Sequence, residues 1–299
     1  MEVLVVGNTA YVDDDFCAKA FPGDHVQVVA AAEARCDESS PHASWKELLQ
    51  HLDQAYEFDR VVYLSNYLTP HTDTVGDIET LRSVFRACAG RRVQLLYVAG
   101  PAGAEGAADA AGRTGKGIIA RAANDLCRYY AAREGVQVKI LRVPFLYTAS
   151  VALEDPFLVS LFDACSTGSV ALQGAEVAAF PLLCAEELAV LVSRIFDSWD
   201  ANFETLDVAD TFHHTAGEVG DALKALFPGL SVAYGDSAGY ALPVSDVVRV
   251  RYGWFQRYDL LRDLSTIFKR VGVLTAQRRS TPFAPPSTAS RCARCLLNA

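Results

Sequence analysis

The chain has 299 residues, of which 51% are hydrophobic and 21% charged, with a formal net charge of -9. That length supports one large domain, or a large domain with a smaller appendage, and the composition is that of an ordinary globular protein. The acidic balance argues against general affinity for nucleic acid or an anionic membrane, and no apolar run approaches the roughly 20 residues of a membrane span.

Met1-Glu2-Val3 runs straight into an apolar strand, so no leader is expected and a cytoplasmic setting is the default. Six of the eight cysteines (Cys17, Cys36, Cys88, Cys127, Cys165 and Cys184) are scattered singly among apolar neighbours, as buried thiols are in a reducing compartment.

Val3-Leu-Val-Val-Gly7 reads as a short strand, residues 11–20 as a helix ahead of the Pro22-Gly23 turn, and residues 25–31 as a second strand. A nucleotide-binding βαβ unit carries Gly-x-x-Gly-x-x-Gly in its first turn, so that backbone can approach a pyrophosphate at the helix N-terminus. The window here is Gly7-Asn8-Thr9-Ala10-Tyr11-Val12-Asp13. Gly7 stands, Ala10 adds a methyl group, and Asp13, Asp14 and Asp15 place three carboxylates in the first turn of the helix. Acids there favour the helix dipole and repel a phosphate. The second strand runs into Ala30-Ala31-Ala32 where a ribose-holding acid is expected, with Glu33 or Asp37 as substitutes. If a dinucleotide is held, its contacts are Gly7, Asn8, Thr9, Ala10, Tyr11 and Val12, with Ser65 at the end of the third strand.

Residues 45–56 read as an amphipathic helix, 59–65 as a strand, and 77–88 as a helix with Ile78, Leu81, Val84 and Phe85 at helical spacing. Val93 opens the central strand, which ends in Ala99-Gly100. Residues 116–133 form a long helix with Ile119, Ala123, Leu126 and Tyr130 on one face, closed by Gly135, and 136–143 form another strand before Pro144. Strands alternating with helices specify an α/β fold, a Rossmann-like doubly wound parallel sheet. From Ala99 to Leu126 there is no serine, tyrosine or histidine, and the titratable groups are Glu105, Asp109, Arg113, Lys116, Arg121 and Asp125.

The second half reads as a smaller lobe over residues 151–273, interleaved with a Rossmann half over 1–150. It has helices at 157–165, 185–199 and 215–226, the last capped by Thr215 and stopped at Pro228-Gly229, and strands at 169–172 and 204–208. His213 and His214 are adjacent on an extended segment, so they point to opposite faces, and nothing with metal-ligand spacing accompanies them. Arg249, Arg251 and Arg257 carry planar forks suited to phosphate. Residues 275–299 hold four arginines, no acid and many Ser, Thr and Pro, which predicts a disordered basic tail from 274 that can tether a protein partner. Cys292-Ala-Arg-Cys295 is a lone CxxC without a second pair.

Val3-Leu-Val-Val-Gly7, Asp59-Arg-Val-Val-Tyr-Leu64, Val93-Gln-Leu-Leu-Tyr-Val98, Asn124-Asp-Leu-Cys-Arg-Tyr-Tyr130 and Ile140-Leu-Arg-Val-Pro-Phe-Leu-Tyr147 resemble, in order and spacing, the extended short-chain dehydrogenase/reductases, which include the NAD-dependent sugar-nucleotide epimerases and dehydratases. The resemblance continues through Gly168-Ser-Val-Ala-Leu-Gln-Gly174, Leu183-Cys-Ala-Glu-Glu-Leu-Ala189 and Tyr252-Gly-Trp-Phe-Gln-Arg-Tyr-Asp-Leu260, and covers roughly residues 1–270. It implies NAD or NADP as cofactor, a nucleotide or nucleotide-sugar ligand whose diphosphate meets arginines such as Arg251, and a homodimer formed through helices 77–88 and 116–133.

It also implies a Ser/Thr after the central strand and a Tyr-x-x-x-Lys pair on the next helix. Anchored on Asn124-Asp-Leu, Lys116 stands at the tyrosine and Ala120 at the lysine. In the alternative register Lys116 is the lysine and Gly112 replaces the tyrosine. Neither register restores the pair, and Ala99-Gly100 stands where the serine belongs. A phenol works as acid and base near neutrality only when a cation and the nicotinamide lower its pKa. Lys116 with Thr114 is the substitute catalytic pair, and Tyr67 and Tyr147 are candidates to line a substrate pocket. Three readings stand: a binding or regulatory domain that has lost catalysis, an active enzyme with rearranged groups, and a protein-interaction module.

Overall fold

In the computed structural model, residues 1–7, 11–30, 58–65, 74–100, 115–148, 156–172, 174–208, 211–236 and 246–280 are described. The first half alternates strands and helices as its pattern requires: β1 (Glu2–Gly7), α1 (Asp14–Ala20), β2 (His25–Ala30), β3 (Arg60–Leu64), α2 (Thr74–Cys88), β4 (Gln94–Ala99), α3 (Gly115–Arg133) and β5 (Gln137–Arg142). Next come β6 (Phe145–Tyr147), α4 (Pro156–Ser166), β7 (Ser169–Leu172), β8 (Leu182–Cys184), α5 (Ala185–Asp197), β9 (Phe203–Asp207), α6 (Ala216–Leu226), β10 (Ser231–Tyr234), α7 (Val247–Tyr252) and α8 (Leu260–Ser280). The helix expected over 45–56 falls outside the described residues.

Six strands form one parallel sheet in the order β2-β1-β3-β4-β5-β9. Its strands are apolar on both sides because helices cover both sides. In β1, Val3 and Val5 face one layer while Leu4 and Val6 face the other, as the two-residue period of a strand requires. The first layer joins Val3, Val5, Val62, Leu96 and Leu141 to Phe16 of α1 and Leu188, Leu191 and Val192 of α5. The second joins Leu4, Val61, Tyr97 and Ile140 to Val84 and Phe85 of α2 and Cys127 and Tyr130 of α3, where Phe85 and Tyr130 stack at 4.7 Å between ring centroids. Each fully buried Val or Leu of this kind contributes about 2 kcal/mol.

The smaller lobe has its own core, in which Leu158 and Leu161 of α4, Val219 and Leu223 of α6 and Leu264, Ile267 and Phe268 of α8 pack around β7 and β10. The interleaving runs deeper than expected. β9, assigned from sequence to the lobe, pairs with β5 and completes the large sheet, because Leu206 is buried in the sheet core. Two boundaries also move. α1 begins at Asp14 instead of Tyr11, since Asp13 caps it and Tyr11 is buried in the core before the helix starts. α8 continues through position 274, where the fold was expected to end, to Ser280. The capping expected at residue 215 takes the form of a reciprocal box: Thr215 Oγ1 accepts from Glu218 N at 3.2 Å and Thr215 N donates to Glu218 Oε2 at 2.9 Å. No described helix is long and apolar enough to cross a membrane.

Candidate functional site

The strand order reverses at β1, whose neighbours β2 and β3 lie on opposite sides, so the crevice for a ligand lies beyond the carboxyl ends of β1 and β3. Gly7 ends β1 with φ at +111°, and a Cβ on it would lie 2.0 Å from the carbonyl oxygen of Leu64. The glycine is required by the approach of two strands, whatever is bound beyond it. Ser65 is buried beside it and extends β3, its N–H donating to Val98 O at 2.9 Å.

The helix that would face a ligand there is already capped. Asp13 Oδ1 accepts from Phe16 N at 2.7 Å, and Asp14 and Asp15 follow in the first turn. These carboxylates suit the positive end of the helix. Their field reaches Cys17, whose thiol is pushed up first by burial and then by Asp14 and Asp13. Tyr11 is buried in the core with Phe16 and Phe21, and Val12 packs partly against the same cluster. Asn8, Thr9 and Ala10 lie outside the described residues, as do Glu33, Asp37 and Tyr67.

At the next position along the sheet, β4 ends in buried Ala99, whose carbonyl accepts from Val143 N at 2.9 Å. The inward face of α3 carries Gly117, Ala120, Ala123, Asn124 and Cys127, all buried. Ala120, the position of the lysine in one register, presents a methyl group. Lys116 lies in the first turn of α3, but its side chain is outside the described residues, as are Gly112 and Thr114.

A second set of polar groups gathers where β6 and β8 end side by side, with Tyr147 opposite Cys184. Glu186, in the first turn of α5, accepts from Thr148 Oγ1 at 2.9 Å and from Cys184 Sγ at 2.7 Å. Glu187 is buried, and its Oε1 accepts from Arg257 N at 2.5 Å. Burial pushes its carboxyl up, against the pull of the Arg257 and Tyr258 backbone N–H groups and the Arg257 charge. Tyr147 is buried too, and its hydroxyl has no hydrogen-bond partner among the described residues. Burial, reinforced by Cys184, Glu187, Asp263 and Glu186, drives the phenol far above its ordinary range. That direction is opposite to what a proton relay at neutral pH needs.

Arg142 and Asp207 pair across the carboxyl ends of β5 and β9 in a two-point contact of 2.6 and 2.8 Å. Arg251 is elsewhere. It pairs with Glu204, three residues earlier on β9, which places its partner about 10 Å down the strand from Asp207 at the usual rise per residue. There it belongs to a cluster around Lys139, whose Nζ contacts Asp200 Oδ1 at 2.9 Å, Tyr252 Oη at 2.9 Å and Glu204 Oε2 at 3.1 Å. Arg249 pairs with Asp246 at 3.1 Å, and Arg257 lies over the ring of Phe255. The three arginines therefore do not converge on a diphosphate cradle. His214 Nε2 lies 2.8 Å from Asp259 Oδ1 and tethers two loops, and no group of three or more His, Cys, Asp or Glu among the described residues is arranged to hold a metal.

Sequence reading missed Glu187, Lys139 and the Arg142–Asp207 pair. Glu186-Glu187 at a helix start signals dipole-favouring acids and gives no sign that one of them is buried.

No protein-family model and no curated protein matches the chain in sequence. Solved structures do match in three dimensions. UDP-glucuronic acid 4-epimerase from Bacillus cereus, in complex with NAD, superposes with a TM-score of 0.70 at 11% identity over 92% of this chain and 99% of that one. dTDP-glucose 4,6-dehydratase from Streptomyces venezuelae, also with NAD, gives 0.67 at 14% over 93% and 98%. UDP-glucose 4-epimerase from Thermotoga maritima gives 0.69 at 13% over 92% and 100%. The fold is that of the extended short-chain dehydrogenase/reductases. In the epimerase/dehydratase fold a dinucleotide pyrophosphate belongs at the α1 terminus. The described residues there do not fit it: the Asp13 carboxylate takes the Phe16 N–H, one of those a phosphate would use, and Asp14 and Asp15 stand beside it.

Proposed function

We propose that this chain is a binding or regulatory domain on an epimerase/dehydratase scaffold that has given up hydride chemistry. The observation that carries the reading is the Asp13 carboxylate on Phe16 N, an anion supplied by the chain at the position of a cofactor's anion. The buried Ala99 and Ala120 and the raised Tyr147 phenol support it at independent places. A nucleotide or nucleotide-sugar remains the ligand class the scaffold suits, bound without a dinucleotide beside it.

Calorimetric titration of ligand-stripped protein with NADH and NADPH tests this. The expected result is no saturation up to about 1 mM, a free energy weaker than about -4 kcal/mol. Micromolar binding of either, with turnover of a UDP-sugar that Lys116→Ala abolishes, would restore the enzyme reading.

A further inference from the structure

We draw no further inference here: the strongest candidate, the two buried oxygens Tyr147 Oη and Glu187 Oε2 at the carboxyl ends of β6 and β8, neither with a hydrogen-bond partner among the described residues, belongs to the site already described.

Discussion

The carboxyl ends of the strands and the outer edge of the sheet handle charge in opposite ways. At the outer edge, Lys139 is fully buried yet has three oxygen partners, contributed by the α5–β9 connection, β9 and α7, with the rings of Trp199 and Tyr252 5.2 and 5.6 Å away. At the carboxyl ends, Asp13 is spent on its own helix, while Tyr147 Oη and Glu187 Oε2 are buried with no hydrogen-bond partner among the described residues. At the edge the buried charge is paired, and Trp199 Nε1 is a polar atom left there without a hydrogen-bond partner among the described residues. The ends of β6 and β8 keep polar groups that structure alone does not require.

The largest effect expected comes from the geometric hinge of the crevice. Gly7→Ala forces a Cβ onto the Leu64 carbonyl and holds alanine at φ +111°, so it should cost about 3 kcal/mol or more and lower the midpoint of chemical denaturation or prevent soluble expression. A near-silent variant would mean that β1 and β3 can separate at this point, and the crevice would then be adaptable where it now looks fixed.

Lys139→Met tests the opposite region. It leaves Glu204 with Arg251 alone and removes the cation that holds Tyr252 and Asp200, so a loss of about 3 kcal/mol in urea titration is expected. Burial acts to lower the Lys139 ammonium, but hydrogen bonds to Tyr252, Asp200 and Glu204 outweigh it and leave it above its ordinary value. A raised folded value means that this contribution is complete at neutral pH and fades only as pH climbs past the ordinary lysine range of about 10.4. The difference between parent and variant should therefore be flat from about pH 6 to 9 and narrow above about pH 11.

How far each region could be read from sequence follows from how local its contacts are. Strand-helix alternation and the acids that begin α1 lie within a few residues of what they bind, and they made the sheet and a capped α1 legible, whereas the Leu64 carbonyl that requires Gly7 lies on another strand. The boundary of α1 differs because Tyr11 packs into the core ahead of the Asp13 cap, a contact the local pattern does not show. Lys139 is joined to Asp200 across 61 positions and to Tyr252 across 113, and Glu187 to Arg257 across 70. No periodicity encodes such pairs. Arg251 misled for the same reason, since its partner Glu204 belongs to the sixth strand of the sheet, which the linear pattern assigns to the other lobe.

Asp13→Ala sharpens the comparison with a smaller change. Losing the cap on Phe16 N should cost about 1 kcal/mol, read as a few degrees in the thermal midpoint. The same variant should leave NADH binding undetectable by calorimetry, because Asp14 and Asp15 still face the site.

Tyr147→Phe is the smallest and the most discriminating. An unpartnered buried hydroxyl contributes nothing to folding and carries its desolvation cost, so its removal should be neutral or raise stability by up to about 1 kcal/mol. Cavity formation does not enter, because the ring and its contacts in the lobe core are kept. Ligand binding reads the other side of the ledger. If a nucleotide-sugar affects the melting of the parent but not of the variant, the hydroxyl is retained for the ligand at a cost to the fold. A clear destabilisation of the free protein would instead make Tyr147 an ordinary hydrogen-bonded core residue, and the carboxyl ends of β6 and β8 would then be paired as the charge around Lys139 is.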